Sequence, residues 1–279
     1  MCSSRSMNRD LWNTVPAEKR SQLAFFALVF ALSIPFWITG AVTSFRLLPG
    51  LPVSALIFVC PGTAALILVY RRSDREGVIE LLKRGGDYGR IKAGKWLAPV
   101  ILLMPTIMIL SYLWMRWTGT PLPIPHVSIL GVTIMMLAFF LSALGEELGW
   151  TGYITDRMQG RWNALETAAL IGLVWAIWHF VPLLQVHRSP RWIAWWTLGT
   201  VAARILIVWI YNNTGRSVFA ATLFHATINL SWQIFPVNGS YYDPRITGLM
   251  VALVAAIVVA VWGPRTLTRS VEDHTFEHR

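Results

Sequence analysis

The sequence predicts an all-α fold, a polytopic transmembrane helical bundle of about eight spans, and three observations carry that expectation. Charged residues make up 14% of the 279-residue chain, where a soluble domain usually holds about 25%. Hydrophobic residues reach 55%, with 15 Trp and 13 Phe, which excludes intrinsic disorder and argues against an ordinary soluble α/β enzyme. Apolar runs of about twenty residues, the length that crosses a ~30 Å hydrocarbon core, recur along the chain.

The elements follow in order. The first twenty residues are polar, and the apolar stretch Leu23–Thr43 behind them is too long for a signal-peptide core and lacks a clean small-residue cleavage pattern. It is expected to be the first span. The others are, roughly, Leu51–Tyr70, Trp96–Met115, Val127–Leu148, Ala164–Leu184, Trp192–Tyr211, Ser217–Phe235 and Thr247–Trp262. The seventh is interrupted by polar residues and the last is short. This divides the chain into a cytoplasmic N-terminal tail (1–22), a transmembrane domain (23–263) whose motif-bearing core is 127–235, and a cytoplasmic C-terminal tail (264–279). Cys2 and Cys60 cannot make a disulfide framework, and no Cys-rich metal signature is present.

The net charge of +10 invites a nucleic-acid reading until the charges are located. Flanks on the side of the N-terminal tail hold 18 Lys and Arg, the opposite flanks hold 5, and Arg204 falls within a span. That asymmetry places both termini in the cytoplasm, with a bacterial cell membrane as the expected location. The basic excess is therefore topology, and no nucleic-acid partner is expected. Membrane lipids are, and the basic 71–95 loop can touch anionic headgroups, partly offset by Asp74, Glu76, Glu80 and Asp87.

An ionisable group at bilayer depth costs at least ~2.5 kcal/mol and commonly marks function. Glu146 and Glu147 end the fourth span, His179 lies in the fifth, Arg204 in the sixth, and His225 and Asn229 in the seventh. Each has a bland reading: acids solvated at a helix end, a buried bonded imidazole, a polar seam between helices, a counter-ion. His225 and Asn229, four apart, share one helix face. Two carboxylates, two imidazoles and a carboxamide on three spans can meet in one water-accessible cavity, and their combined chemistry is hydrolytic. Glu146, His179 and His225 can hold zinc or another divalent metal with an open position for water. Alternatively, a Glu–His pair activates water without metal, while the second His and Asn229 stabilise the oxyanion. Neither HExxH nor GxSxG occurs.

Glu146-Glu147 opens a segment reading EExxxT, Trp175 to His179 reads WxxxH, and His225 to Asn229 reads HxxxN. In this order and on these spans they resemble the EExxxR, FxxxH and HxxxN motifs of the CPBP family of intramembrane proteases. That family includes the type II CAAX prenyl endopeptidases and the bacteriocin-immunity (Abi) proteins. The resemblance implies an intramembrane metallo-endopeptidase acting on a membrane-associated, in some members lipidated, protein or peptide; a metal-free glutamate mechanism is also argued for the family. It implies that Glu146 and His179 activate water, that His225 and Asn229 bind metal or the oxyanion, and that Glu147 supports them. Two positions depart. Trp175 stands for Phe and keeps an aromatic wall. Thr151 stands for Arg and loses a positive charge one turn from Glu147, for which Arg204 on another span is the candidate replacement. A catalytically silent immunity or scaffolding relative, favoured by Thr151, is the competing expectation. A proton-coupled transporter using Glu146, Glu147 and Arg204 ranks behind it, since repeated halves are not evident.

Overall fold

The computed structural model describes residues 17–125 and 128–269. Most of the two expected tails, and Val127 at the expected start of the fourth span, lie outside the described residues. Helix α1 (Ala17–Val42) leads into a small antiparallel hairpin, β1 (Arg46–Leu48) and β2 (Leu51–Pro52), then a 3-10 turn at Val53–Phe58. Helices α2 (Val59–Arg84) and α3 (Leu97–Trp117) follow, then α4 (Ile129–Gly149), which runs through a π-helical turn, Trp150–Thr155, into α5 (Asp156–Gln159). The chain finishes with α6 (Ala164–Trp178), α7 (Phe180–Gln185), α8 (Pro190–Asn213), α9 (Val218–Ile234) and α10 (Pro244–Trp262).

The protein is an integral membrane helical bundle. Among the described residues, seven helical segments are long and apolar enough to cross a bilayer. The expected seventh span is α9, which at 17 residues falls just short and carries His225 and Asn229. Its polar face is tolerable because α9 packs inside the bundle, against α4, α3 and α8. Two expectations shift. The second span opens with the hairpin and 3-10 turn rather than a helix from Leu51, and half of the basic 71–95 segment is helical. Helix α2 runs on to Arg84 through a kink at Ser73–Asp74, where Asp74 has φ +50°. The continuation persists because Leu81 on its inner face is buried.

Local chemistry sets the helix starts. Ser128, Ser189 and Ser217 each accept a backbone N–H from the first turn of the helix they precede. Asn163 and Glu166 form the expected capping box at α6. Pro190 and Pro244 occupy the first positions of α8 and α10, where a missing N–H costs nothing.

One close approach governs where the acid pair sits. A Cβ on Gly62 of α2 would stand 2.6 Å from the Gly145 carbonyl oxygen, and one on Gly145 of α4 would stand 2.9 Å from that of Phe58. A Cβ on Gly149 would overlap the Pro61 carbonyl. Gly145 and Gly149 thus form a small-xxx-small seam that lets two backbones touch, and it brackets Glu146 and Glu147. Gly149→Ala must push α4 off α2, and overpacking of this kind costs about 1–3 kcal/mol. The expected result is a lower unfolding temperature in detergent, whereas Gly89→Ala, which meets open space, leaves it unchanged. Equal melting of the two variants would contradict the seam.

The two ends of the bundle differ. At the end holding the start of α1, polar bonds tie the elements together. Arg84 donates to the Gly152 carbonyl at 2.6 Å, Tyr211 donates to Asp156 at 2.8 Å, and Asp87 accepts from Ser217 and from the Phe219 amide. Asn212 and Asn213 bind the carbonyls of Thr266 and Leu267. At the hairpin end, Gln185 of α7 joins Ser54 at 2.5 Å and the Trp37 carbonyl at 2.8 Å.

Candidate active site

Adjacent residues on a helix point about 100° apart, and Glu146 and Glu147 part accordingly. Glu147 turns into the protein. Its Oε2 accepts from Arg204 Nη1 at 2.8 Å and from the Thr151 hydroxyl, and its Oε1 accepts from His225 Nδ1 at 2.9 Å. The Glu147 and Arg204 side chains are both 0% exposed. Glu146 faces a cavity instead, and its Oε2 accepts the Trp175 indole N–H at 2.7 Å.

Helix α6 stops at Trp178 for a reason written four residues later. Pro182 has no N–H to offer the Trp178 carbonyl and its ring crowds that oxygen, so the chain turns at His179 before α7. The turn leaves the Trp175 carbonyl without its usual partner, because the His179 amide bonds to Ala176 instead. His179 Nδ1 takes the vacancy at 2.8 Å. A carbonyl only accepts, so Nδ1 carries the proton and Nε2 keeps a lone pair for the cavity. His225 is oriented the same way, its Nδ1 donating to the Glu147 carboxylate. One turn on, Asn229 lines the cavity with its carboxamide unpaired among the described residues.

Trp175 stands at the centre. Its ring is edge-on to His179 at 5.7 Å and to His225 at 5.0 Å, and the Arg204 guanidinium lies 4.3 Å from its centroid. The cavity holds about 610 Å³, and Glu146, Trp175, His179, His225 and Asn229 all line it. Glu147 lies behind His225 rather than in the cavity wall. Its role in the geometry is to hold that imidazole, much as an outer carboxylate orients a histidine elsewhere.

The departure at Thr151 has a structural answer. Thr151 sits in the π-helical turn, fully buried, and gives Glu147 a hydroxyl. The positive charge arrives from Arg204 on α8. A charge absent from one helix is thus present on its neighbour. Three residues have roles that the sequence reading missed. Trp175 does more than maintain a wall, since its N–H is a donor that Phe lacks, and a tryptophan one helix away from a buried acid was the available signal. Gly145 and Gly149 were visible as a spaced pair flanking the acids.

Among the described residues, no three His, Cys, Asp or Glu side chains form a group that could hold a metal ion. Glu146, His179 and His225 share the cavity, but each contacts the Trp175 side chain, which stands among them and already occupies one Glu146 oxygen. The set as arranged does not fit an ion, and no step below passes through one.

Residues 127–231, which carry all of these groups, match a family described as Rce1-like, type II CAAX prenyl endopeptidase. The match is to this family over that segment of the chain. CAAX prenyl protease 2 of Methanococcus maripaludis is 27% identical over 274 residues, covering 88% of this chain and 96% of that protein. The Rce1-like match ends within α9, two residues beyond Asn229. The three motif segments, with Gly145 and Gly149, therefore fall within the Rce1-like match, while α1, α2, α3 and α10 lie outside it.

Proposed function

We propose that the protein is an intramembrane endopeptidase that hydrolyses a peptide bond of a membrane-associated protein or peptide by metal-free activation of water. One observation carries this reading: Glu146, His179, His225 and Asn229 line a single cavity, each with a polar atom left unpaired by the protein. Glu146 has one oxygen fixed by Trp175 and the other available to take a proton from water. His179 Nε2 accepts the second hydrogen of that water and orients it. As the water oxygen attacks the carbonyl carbon, the Asn229 carboxamide donates to the oxyanion, joined by His225 Nε2–H when that ring is protonated. The C–N bond then breaks, and Glu146 returns its proton to the leaving amine.

The cavity's other walls are mostly apolar, including Phe58, Met104, Met108 and Leu141, which suits a lipidated or strongly apolar substrate. The silent alternative loses its main support, because Thr151 does not leave Glu147 without a cation. The test is cleavage of fluorogenic apolar peptides by purified protein in nanodiscs. Activity there should survive a strong divalent-metal chelator; abolition by chelator and restoration by added zinc would refute the metal-free mechanism.

The same reading places both termini in the cytoplasm, supported by the distribution of Lys and Arg. Alkaline phosphatase fused after Arg279 should be inactive. An active fusion would reverse the orientation of the bundle.

A further inference from the structure

We infer that the groove between α6, α8 and α10, on the outer surface of the bundle, binds an anionic phospholipid, with an acyl chain along the groove and the phosphate held by Arg161, Arg265 and Arg269. The groove shares no lining residue with the cavity of Glu146 and His179, and the inference does not depend on the endopeptidase reading.

Every residue lining the groove is Leu, Ile, Val or Ala, and its volume is about 430 Å³. Leu165 of α6, Leu198 and Ile205 of α8, and Ala252, Ala256 and Ala260 of α10 mark its walls. Leu198, Ala256 and Ala260 are exposed, so the groove opens outward, toward hydrocarbon in a chain that spans a bilayer. It follows α10 from Ala252 to Ala260, about 12 Å of helical rise. Left unfilled, a hollow of this kind forfeits the dispersion contacts of its lining, and a flexible acyl chain restores them.

One end of the groove is marked chemically. Leu165 lies in the first turn of α6 and Ala260 in the last turn of α10, and the chain joins these two ends. The Ala164 and Leu165 amides donate to the carbonyls of Arg265 and Pro264 at 2.9 and 3.0 Å. Trp209 lies one turn beyond Ile205, and Trp262 three residues beyond Val259, which also lines the groove. Their rings meet edge-on at 5.2 Å, an aromatic pair of the kind that sits at the membrane–water interface. Three cations stand at this same end. Arg265 is tied to α6 through its backbone, the Arg161 guanidinium lies 5.4 Å from the centroid of the Trp162 ring, and that of Arg269 lies 4.9 Å from Trp262. All three arginines are exposed, and among the described residues none makes an ion pair. Glu166, a carboxylate in the first turn of α6, is engaged by the Asn163 amide at 3.2 Å in the capping box.

Charge selects the occupant. Guanidinium forks match a phosphate with paired hydrogen bonds, and with both termini in the cytoplasm this end meets the leaflet that carries anionic lipid. A second copy of the chain is disfavoured, because a two-fold pairing through the groove sets the same three arginines against one another. A transmembrane helix of another protein would present its surface along a ~30 Å core, more than twice the length of this groove. An acyl chain with an anionic headgroup fits both the short apolar hollow and the cationic end.

Lipid binding is measured by native mass spectrometry on the full-length protein, delipidated in detergent and titrated with phosphatidylglycerol or phosphatidylcholine of the same acyl chains. The first phosphatidylglycerol should bind about tenfold more tightly than the first phosphatidylcholine. Arg161→Gln, Arg265→Gln and Arg269→Gln combined should remove that preference. Loss of as many charges from the exposed basic part of α2, by Arg71→Gln, Arg72→Gln and Arg75→Gln, should leave it intact. Ala256→Trp, at an exposed position that the fold does not need, fills the groove without changing charge and should weaken the first phosphatidylglycerol about tenfold. Equal affinity of the two lipids for the parent protein overturns the inference. An equal loss of preference in both triple variants also overturns it, since the attraction is then that of a diffuse basic surface. Undiminished binding to the Ala256→Trp protein removes the groove from the site, and a dimer that Ala256→Trp dissociates assigns the groove to a second copy; either result refutes the lipid site.

Discussion

Glu146→Gln is expected to abolish peptide cleavage while leaving the protein folded, and Glu147→Gln, one residue away, is expected above all to destabilise the fold. Glu146 lines the cavity and bonds to a single protein donor, the Trp175 indole. A glutamine keeps an oxygen for that donor and has the same shape, so the packing survives. It cannot take a proton from water, and loss of a positioned general base lowers kcat by about 10²–10⁴-fold. Since the base acts in the transition state, KM should change little. Glu147 has three donors on its two oxygens and is fully buried with Arg204. Neutralising it strands a buried guanidinium, and breaking a buried pair in this way costs about 3–5 kcal/mol. Thermal unfolding and single-turnover cleavage, measured on both variants, decide the matter. An active Glu146→Gln protein would end the general-base assignment. A Glu147→Gln protein as stable as the parent would show that the buried pair contributes nothing.

Arg204→Gln is the second large effect, and Thr151→Arg is its expected suppressor. Removing the guanidinium leaves the Glu147 carboxylate, which is fully buried, with only the Thr151 hydroxyl and His225. The expected loss is again about 3–5 kcal/mol, and with it the orientation of His225, so cleavage falls as well. Thr151 lies one helical turn from Glu147, the spacing at which side chains of opposite charge meet. An arginine there restores the pattern of the family and can occupy the volume that Arg204 vacates. The double variant should recover stability and cleavage relative to Arg204→Gln alone. In the parent background, Thr151→Arg brings a second cation to a carboxylate that already has one and should be mildly destabilising. A double variant no better than Arg204→Gln would mean that the two positions do not exchange the charge.

Much of the candidate site is legible in the sequence, because the membrane makes polar residues conspicuous. Glu146, Glu147, His179, Arg204, His225 and Asn229 stand out against apolar runs, and the order of the three motifs suggested what they do together. The helix starts at Ser189-Pro190 and Asn163 to Glu166 were equally local matters. The division of labour between the two glutamates was not legible. Two adjacent carboxylates are equivalent on paper, and only the rotation of α4 against α2 and α8 turns one to the cavity and the other to Arg204.

The sequence by itself therefore determined the membrane bundle, the helices that cross it and the list of polar residues inside it. Each of these follows from short-range properties: hydropathy over twenty-odd residues, capping side chains and the missing N–H of proline. The tertiary structure alone decided that Arg204 serves Glu147, that Trp175 donates to Glu146, and that residues of the hairpin rather than of the start of α1 wall the cavity. Those outcomes depend on how far α4 can approach α2 at Gly145 and Gly149, and on the angle at which α6, α8 and α9 then pack around it. Contacts between residues 29 to 78 positions apart are set by that packing, and no periodicity within one helix encodes the rotation of its neighbour.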